Sequence, residues 1–223
     1  MKKILFSFLP LIAFGVIAFA QESKTEIVQR NFLIVSAGPS FPFGDFSSTD
    51  INNANAGLAK TGFTIDLKYG HQFDEVLGLS LGAVYGRHGV DKSFLSDGSG
   101  VSIRPWEYFG VLAGPMAIAN VGKKTSFDLS VLSGLAFVTS PESKVNGEVV
   151  AQKDNSTTVP LKLAGDFRFR FNTSGYLFGG VNYTYMKPRF NVSTQTGLGT
   201  SENVTFNQKM NMIGVNAGIG FSF

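Results

Sequence analysis

From residue 31 onward the chain is built of segments in which every second residue is large and apolar. The stretch VPLKLAGDFRFRF, residues 159–171, is representative: Val159, Leu161, Leu163, Phe167, Phe169 and Phe171 alternate with Lys162, Ala164, Asp166, Arg168 and Arg170. A period of two is that of a β-strand, whose successive side chains point to opposite faces. The pattern predicts eight strands, near 31–41, 61–73, 76–88, 104–119, 126–139, 159–171, 176–187 and 206–223. In most of them one face is apolar and the other small or polar, as with Phe63, Ile65, Leu67 and Tyr69 against Thr64, Asp66, Lys68 and Gly70. The fourth is the least regular. Trp106, Tyr108, Leu112, Met116 and Ile118 are read as its apolar face, opposite Glu107, Phe109, Val111 and Ala113.

In a protein dissolved in water the apolar faces would point inward. Three features reverse that reading. Each segment reaches the roughly 9–11 residues that cross a bilayer at a tilt, whereas strands of soluble domains average about 5–6. Short connections (FDEV, NVGKKTS, NTSG) alternate strictly with long polar ones: PFGDFSSTDINNANAGLAK, GVDKSFLSDGSGVS, SPESKVNGEVVAQKDNST and PRFNVSTQTGLGTSENV. Membrane barrels of the outer-membrane type sort their loops in this way, with short periplasmic turns and long external loops. A soluble secreted β-sandwich or lipid-binding barrel, the competing architecture, has no reason to do so. The Gly, Asn, Ser and Thr of the long connections predict mobile segments. Finally, the rings fall in two bands. Phe63, Tyr85, Trp106, Tyr108, Phe137, Tyr183 and Tyr185 lie at the long-loop ends; Tyr69, Phe73, Phe127, Phe171, Phe221 and Phe223 lie at the short-turn ends. Two bands with aliphatics between them match the aromatic girdles of a membrane protein. The expected fold is all-β: an eight-stranded antiparallel up-and-down transmembrane β-barrel.

Composition agrees. Only 16% of residues are charged, and there are 26 Gly and 22 Phe in 223 residues. After the first 20 residues no apolar run is long enough for a membrane helix. Residues 1–20, MKKILFSFLPLIAFGVIAFA, read as a secretory signal peptide, with Lys2 and Lys3 ahead of an apolar stretch and an Ala18-Phe19-Ala20 cleavage triplet. The alternative is an N-terminal anchor. The barrel domain is then 21–223. No cysteine is present, so neither a disulfide nor a lipoprotein anchor is expected. Without Lys2 and Lys3 the 19 basic residues become 17 against 16 acidic. A chain so nearly neutral gives no reason to expect a nucleic-acid partner.

With lipid outside, the polar faces line the lumen. They place Lys68, Lys162, Arg168 and Arg170 against Asp66, Glu107, Asp128 and Asp166, four charges of each sign. Balance is what an enclosed core needs, because an unpaired buried charge costs several kcal/mol. Such a set is either an ion path or a paired network that plugs the barrel. Eight strands leave no wide bore, which favours the plug.

The last residues, NAGIGFSF, resemble the terminal signature of bacterial outer-membrane barrels: Asn216 at the polar position, Gly218 at the glycine, Phe221 at the penultimate aromatic and Phe223 as the terminal Phe. AGPSFPFGDF, residues 37–46, looks like the first strand and loop of small porin-family barrels of the OmpA/OmpX type. The resemblance implies the cell outer membrane, with lipids and lipopolysaccharide as neighbours. It also implies an assembly signal in these last residues that the barrel-assembly machinery reads. It leaves no length for a periplasmic peptidoglycan-binding domain.

Catalytic chemistry is not expected. His71 falls on the lipid face near a short turn. His88 lies near Arg87, Asp91 and Ser93, a grouping common by chance. Two histidines without cysteine make zinc improbable, and neither GDFSSTD nor SDGSG has calcium-loop spacing. No metal or cofactor is expected. The role predicted is structural or interactive, through a monomer that presents four external loops to an unidentified ligand. The alternative is a porin-like passive channel for small solutes.

Overall fold

The computed structural model describes residues 30–50, 52, 53, 55–93, 100–195 and 201–223. The expected signal peptide lies outside the described residues. Eight long strands dominate: β1 (Asn31–Phe43), β2 (Ala59–Gln72), β3 (Leu77–Val90), β4 (Trp106–Asn120), β5 (Thr125–Thr139), β6 (Leu161–Arg170), β7 (Gly175–Met186) and β8 (Met210–Ser222). Each pairs antiparallel with the next, and β8 pairs with β1, so the sheet closes on itself. At the seam Ala37 lies opposite Ala217, and the ends are tied by Phe223 N–H donating to Asn31 O (2.9 Å) and Asn31 N–H donating to Phe223 O (3.3 Å). Closure leaves no unpaired sheet edge in the wall, the condition for crossing hydrocarbon with strands. Among the described residues no helix is long and apolar enough to cross a membrane.

The outer wall carries the apolar faces. Val35, Leu67, Leu81, Val131, Leu135, Leu177, Val181 and Ile219 are all about half exposed or more. The opposite residues are buried in the lumen, where Lys68, Ser80, Asp128, Lys162, Asp166 and Asn216 lie. The charged faces therefore point in, as the pattern predicts for a membrane barrel.

Strand β4 is the exception, and a correction. Trp106, Tyr108, Leu112, Met116 and Ile118 are buried in the lumen, while Phe109 and Val111 are exposed on the outer wall. Glu107 therefore leaves the lumen set, and Trp106 and Tyr108 leave the upper ring band. Both faces of β4 are apolar, so alternation cannot orient it. The neighbouring strand decides: a Cβ on Gly86, which faces Tyr108 across the ladder, would lie 2.2 Å from the Tyr108 ring. The ring fills the space the glycine leaves. Gly70 does the same for Phe32, its absent Cβ falling 2.0 Å from that ring. The lumen glycines thus make room for rings more than for the long cationic side chains.

The short turns are closed by their own side chains. Asp74 accepts the N–H groups of Val76 (2.8 Å) and Leu77 (2.6 Å), and Asn172 accepts those of Ser174 (3.0 Å) and Gly175. At the other end, the long connections carry ladder-paired strands that their composition did not predict. Val101–Ile103, Ser143–Val145, Glu148–Ala151, Arg189–Gln195 and Ser201–Asn207 form a second, five-stranded sheet beyond the barrel. Asn146-Gly147, both at positive φ (51° and 89°), makes the tight turn between Ser143–Val145 and Glu148–Ala151.

Candidate functional site

The lumen is filled in three layers. Toward the end that carries the long connections lies an apolar layer of Phe46, Trp106, Tyr108, Leu132, Phe190 and Met212, with smaller aliphatics among them. Phe46, fully buried, is delivered by a short 3₁₀ turn, Gly44–Ser47, that folds from the first long connection into the barrel mouth. Its ring stands edge-on to Trp106 (5.7 Å between centroids) and to His88 (5.4 Å). The Trp106 indole N–H donates to Gly57 O (2.9 Å), which ties the end of that connection to β4. Toward the short turns lies a second apolar layer of Phe32, Ile34, Met116, Ile118, Tyr176 and Phe178.

Between the layers sits a charged belt. Lys68 Nζ donates to Asp166 Oδ2 (2.6 Å), Lys162 Nζ to Asp66 Oδ1, and Arg168 Nη2 to Asp128 Oδ1 (2.6 Å). The first two pairs span the lumen between β2 and β6, which stand on opposite walls. Both strands run from the loop end to the turn end, so the order Asp66, Lys68 meets the order Lys162, Asp166 with opposite signs at each level. Asn216 Nδ2 donates to Asp66 Oδ2 (2.5 Å), and its own oxygen accepts from Thr64 Oγ1 (3.2 Å). The Arg168 guanidinium also lies over the Phe32 ring, 4.2 Å from its centroid. Three cations thus meet three anions within an enclosure, and the belt is neutral.

Of the eight charges expected in the lumen, the structure brings six together. Glu107 stands on the outer wall, 3.5 Å from Arg87 Nε and accepting a hydrogen bond from the Tyr85 hydroxyl (3.2 Å). Arg170 keeps the inward alternation but lies at the short-turn rim, exposed. One charge of each sign is removed, so the balance survives. Among the residues of the terminal signature, Asn216 is in the belt, Gly218 lies against β1, and Phe221 and Phe223 are exposed on the outer wall. A belt member the sequence reading missed is Thr64.

A cavity of about 30 Å³ lies in the belt, lined by Ser36, Asp66, Lys68, Ser130, Lys162 and Asn216, among others. That is room for one or two waters. His88 is fully buried at the upper end of β3, with Nδ1 3.1 Å from Lys60 O and its ring stacked on Tyr108 (6.3 Å, 15°). It is packed among rings rather than displayed beside Asp91 and Ser93. His71 lies 2.7 Å from Asn31 Oδ1 near the short-turn end. Among the described residues no cluster of three His, Asp or Glu side chains is placed to hold a metal.

No protein-family model matches the sequence, and no curated protein matches it. Solved structures do match its backbone. Neisserial surface protein A superposes with a TM-score of 0.56 over 86% of this chain and 97% of its own, at 11% identity. A major outer membrane protein from Thermus thermophilus gives 0.57 over 86% and 99%, at 12% identity. The chain has the fold of a small outer-membrane β-barrel. Its half-exposed aliphatic wall and its rings at both rims are those of a barrel whose outer surface faces lipid. The outer membrane protease OmpT from Escherichia coli also shares the fold, with a TM-score of 0.50 at 9% identity. The fold therefore carries no particular activity with it.

Proposed function

We propose that this barrel is a non-enzymatic membrane protein whose lumen is sealed and whose working surface is external. The observation that carries the proposal is the layering of the lumen: apolar side chains above and below a neutral charged belt, in which lies a cavity of about 30 Å³. A hydrated ion meeting that stack would have to displace Phe46, Trp106 and Phe190 before it reached the first charge. The five-stranded sheet beyond the barrel supports an interactive role, because ladder-paired strands hold a binding surface in one shape where loose loops would not. The burial of His88 among rings supports the absence of catalysis. We propose a monomer, since the closed wall needs no second copy to complete its sheet.

Planar-bilayer recording tests the reading. The refolded protein should give no steady openings. Steady openings that change in size or ion selectivity on Arg168→Glu would overturn it. They would favour the passive channel, lined by Asp66, Lys68, Lys162, Asp166, Arg168 and Arg170.

A further inference from the structure

The outer wall carries two charged cross-strand pairs at its external rim, and they are not alike. On β3 and β4, Arg87 lies opposite Glu107 in the ladder, 3.5 Å from it, and the pair is neutral. On β7 and β8 the ladder runs on above the barrel without a change of register: Met186 faces Met210, Gln208 N–H donates to Pro188 O, and Arg189 faces Asn207. That register puts Lys187 directly opposite Lys209. Like charges in this position repel and cost stability. Arg189 adds a third positive charge one step above. All three side chains are exposed on the outward face. Among the described residues one carboxylate reaches the group: Asp45 lies 3.5 Å from Lys209 Nζ. The cluster keeps a net charge of about +2 at the level where the wall leaves the membrane. Directly below it, Tyr183 and Tyr185 stand on the same face, the position of ring side chains at a membrane interface.

We infer that Lys187, Arg189 and Lys209 form a site for the phosphate headgroup of an outer-leaflet lipid. The repulsion in the Lys187–Lys209 pair is removed when an anion lies between the ammonium groups. The tyrosines beneath offer an apolar surface to the acyl chains of the same molecule. A lipid is the occupant the geometry fits, because the cations face sideways into the bilayer interface and continue the aliphatic wall upward. The site rests on the membrane placement of the barrel, and not on whether the lumen conducts.

The test uses the refolded protein in detergent micelles, titrated with diphosphoryl lipid A and followed by native mass spectrometry. Each cation near such an anionic surface is worth roughly fivefold in affinity. Lys187→Gln/Arg189→Gln/Lys209→Gln should therefore weaken binding about a hundredfold, while Arg87→Gln leaves it unchanged. Lys187→Glu is the discriminating variant. It should lose lipid A binding yet melt higher than wild type in zwitterionic micelles, since it turns the Lys187–Lys209 repulsion into an attraction. The inference is overturned if lipid A stripped of phosphate binds equally well, or if the triple variant binds as wild type does. It is also overturned if inorganic phosphate competes at the concentration of lipid A, which would make the cluster a plain anion site. Heat-modifiable gel mobility confirms that each variant is folded, and Lys209→Gln alone serves if the triple variant is not.

Discussion

Arg168→Met isolates one charge of the belt and leaves the other where it was. Asp128 is fully buried, and its second oxygen, Oδ2, has no hydrogen-bond partner. Its one ionic partner is Arg168, at 2.6 Å, and both side chains are more than nine-tenths buried. Two unit charges about 4 Å apart attract by roughly 4 kcal/mol at an effective dielectric constant near 20. Breaking a buried pair from one side costs about 3–5 kcal/mol, because the remaining ion keeps its desolvation penalty. Removing both ions in favour of apolar residues is often neutral, so Asp128→Leu/Arg168→Met should recover most of the loss. The assay is urea unfolding of the barrel in lipid micelles. Trp106, the only tryptophan and 4% exposed, is the fluorescence reporter. With a slope of about 2 kcal/mol/M, the single variant should lower the midpoint by roughly 2 M. A loss below about 1 kcal/mol, the range of exposed surface pairs, would refute the buried-pair reasoning. So would a double variant as unstable as the two single variants added together.

Gly86→Ala should cost about 1–3 kcal/mol by overpacking against Tyr108, and Tyr108→Leu in the same chain should relieve it; the same urea titration measures both. The Asp74 carboxyl is held below its ordinary pKa by the N–H groups of Leu77 and Val76. Its contribution to the β2–β3 turn is complete above the unfolded value near 4, and is lost as pH falls through the lower folded value. Unfolding rates of wild type and Asp74→Ala should therefore differ at pH 6 and converge in strong acid. Deletion of Phe223 should impair assembly in cells if the terminal signature is read by the assembly machinery, and a full yield of heat-modifiable barrel would count against that role. The intact mass of the mature protein should match a chain that begins at Gln21.

Most of the cylinder was legible because a lipid-facing strand has to separate its faces. Strand β5 was expected near 126–139 and spans Thr125–Thr139, and β7 was expected near 176–187 and spans Gly175–Met186. Strand β4 failed for a physical reason. Its lumen side lies mainly in the two apolar layers rather than the charged belt, so both of its sides are greasy and Glu107 pointed to the wrong one. The signal that would have oriented it is size complementarity, a glycine at 86 opposite a ring at 108. Six charges of the belt were legible because an aspartate or lysine on an inward face has nowhere else to go. The Phe46 closure was not, since a phenylalanine in a polar loop carries no period. The hairpin at Asn146-Gly147 did leave a mark, a two-residue turn pair between Val145 and Glu148, that a reading based on composition passed over.

The braces between β2 and β6 have a consequence for how the cylinder shuts. In an open sheet these strands are four positions apart, roughly 19 Å, too far for Lys68 to touch Asp166 or for Lys162 to touch Asp66. Neighbouring Asp128 and Arg168, on β5 and β6, can meet earlier. Two ionic latches therefore engage only when the circle is nearly complete, and a half-rolled intermediate holds its lysines in water until the last step commits them.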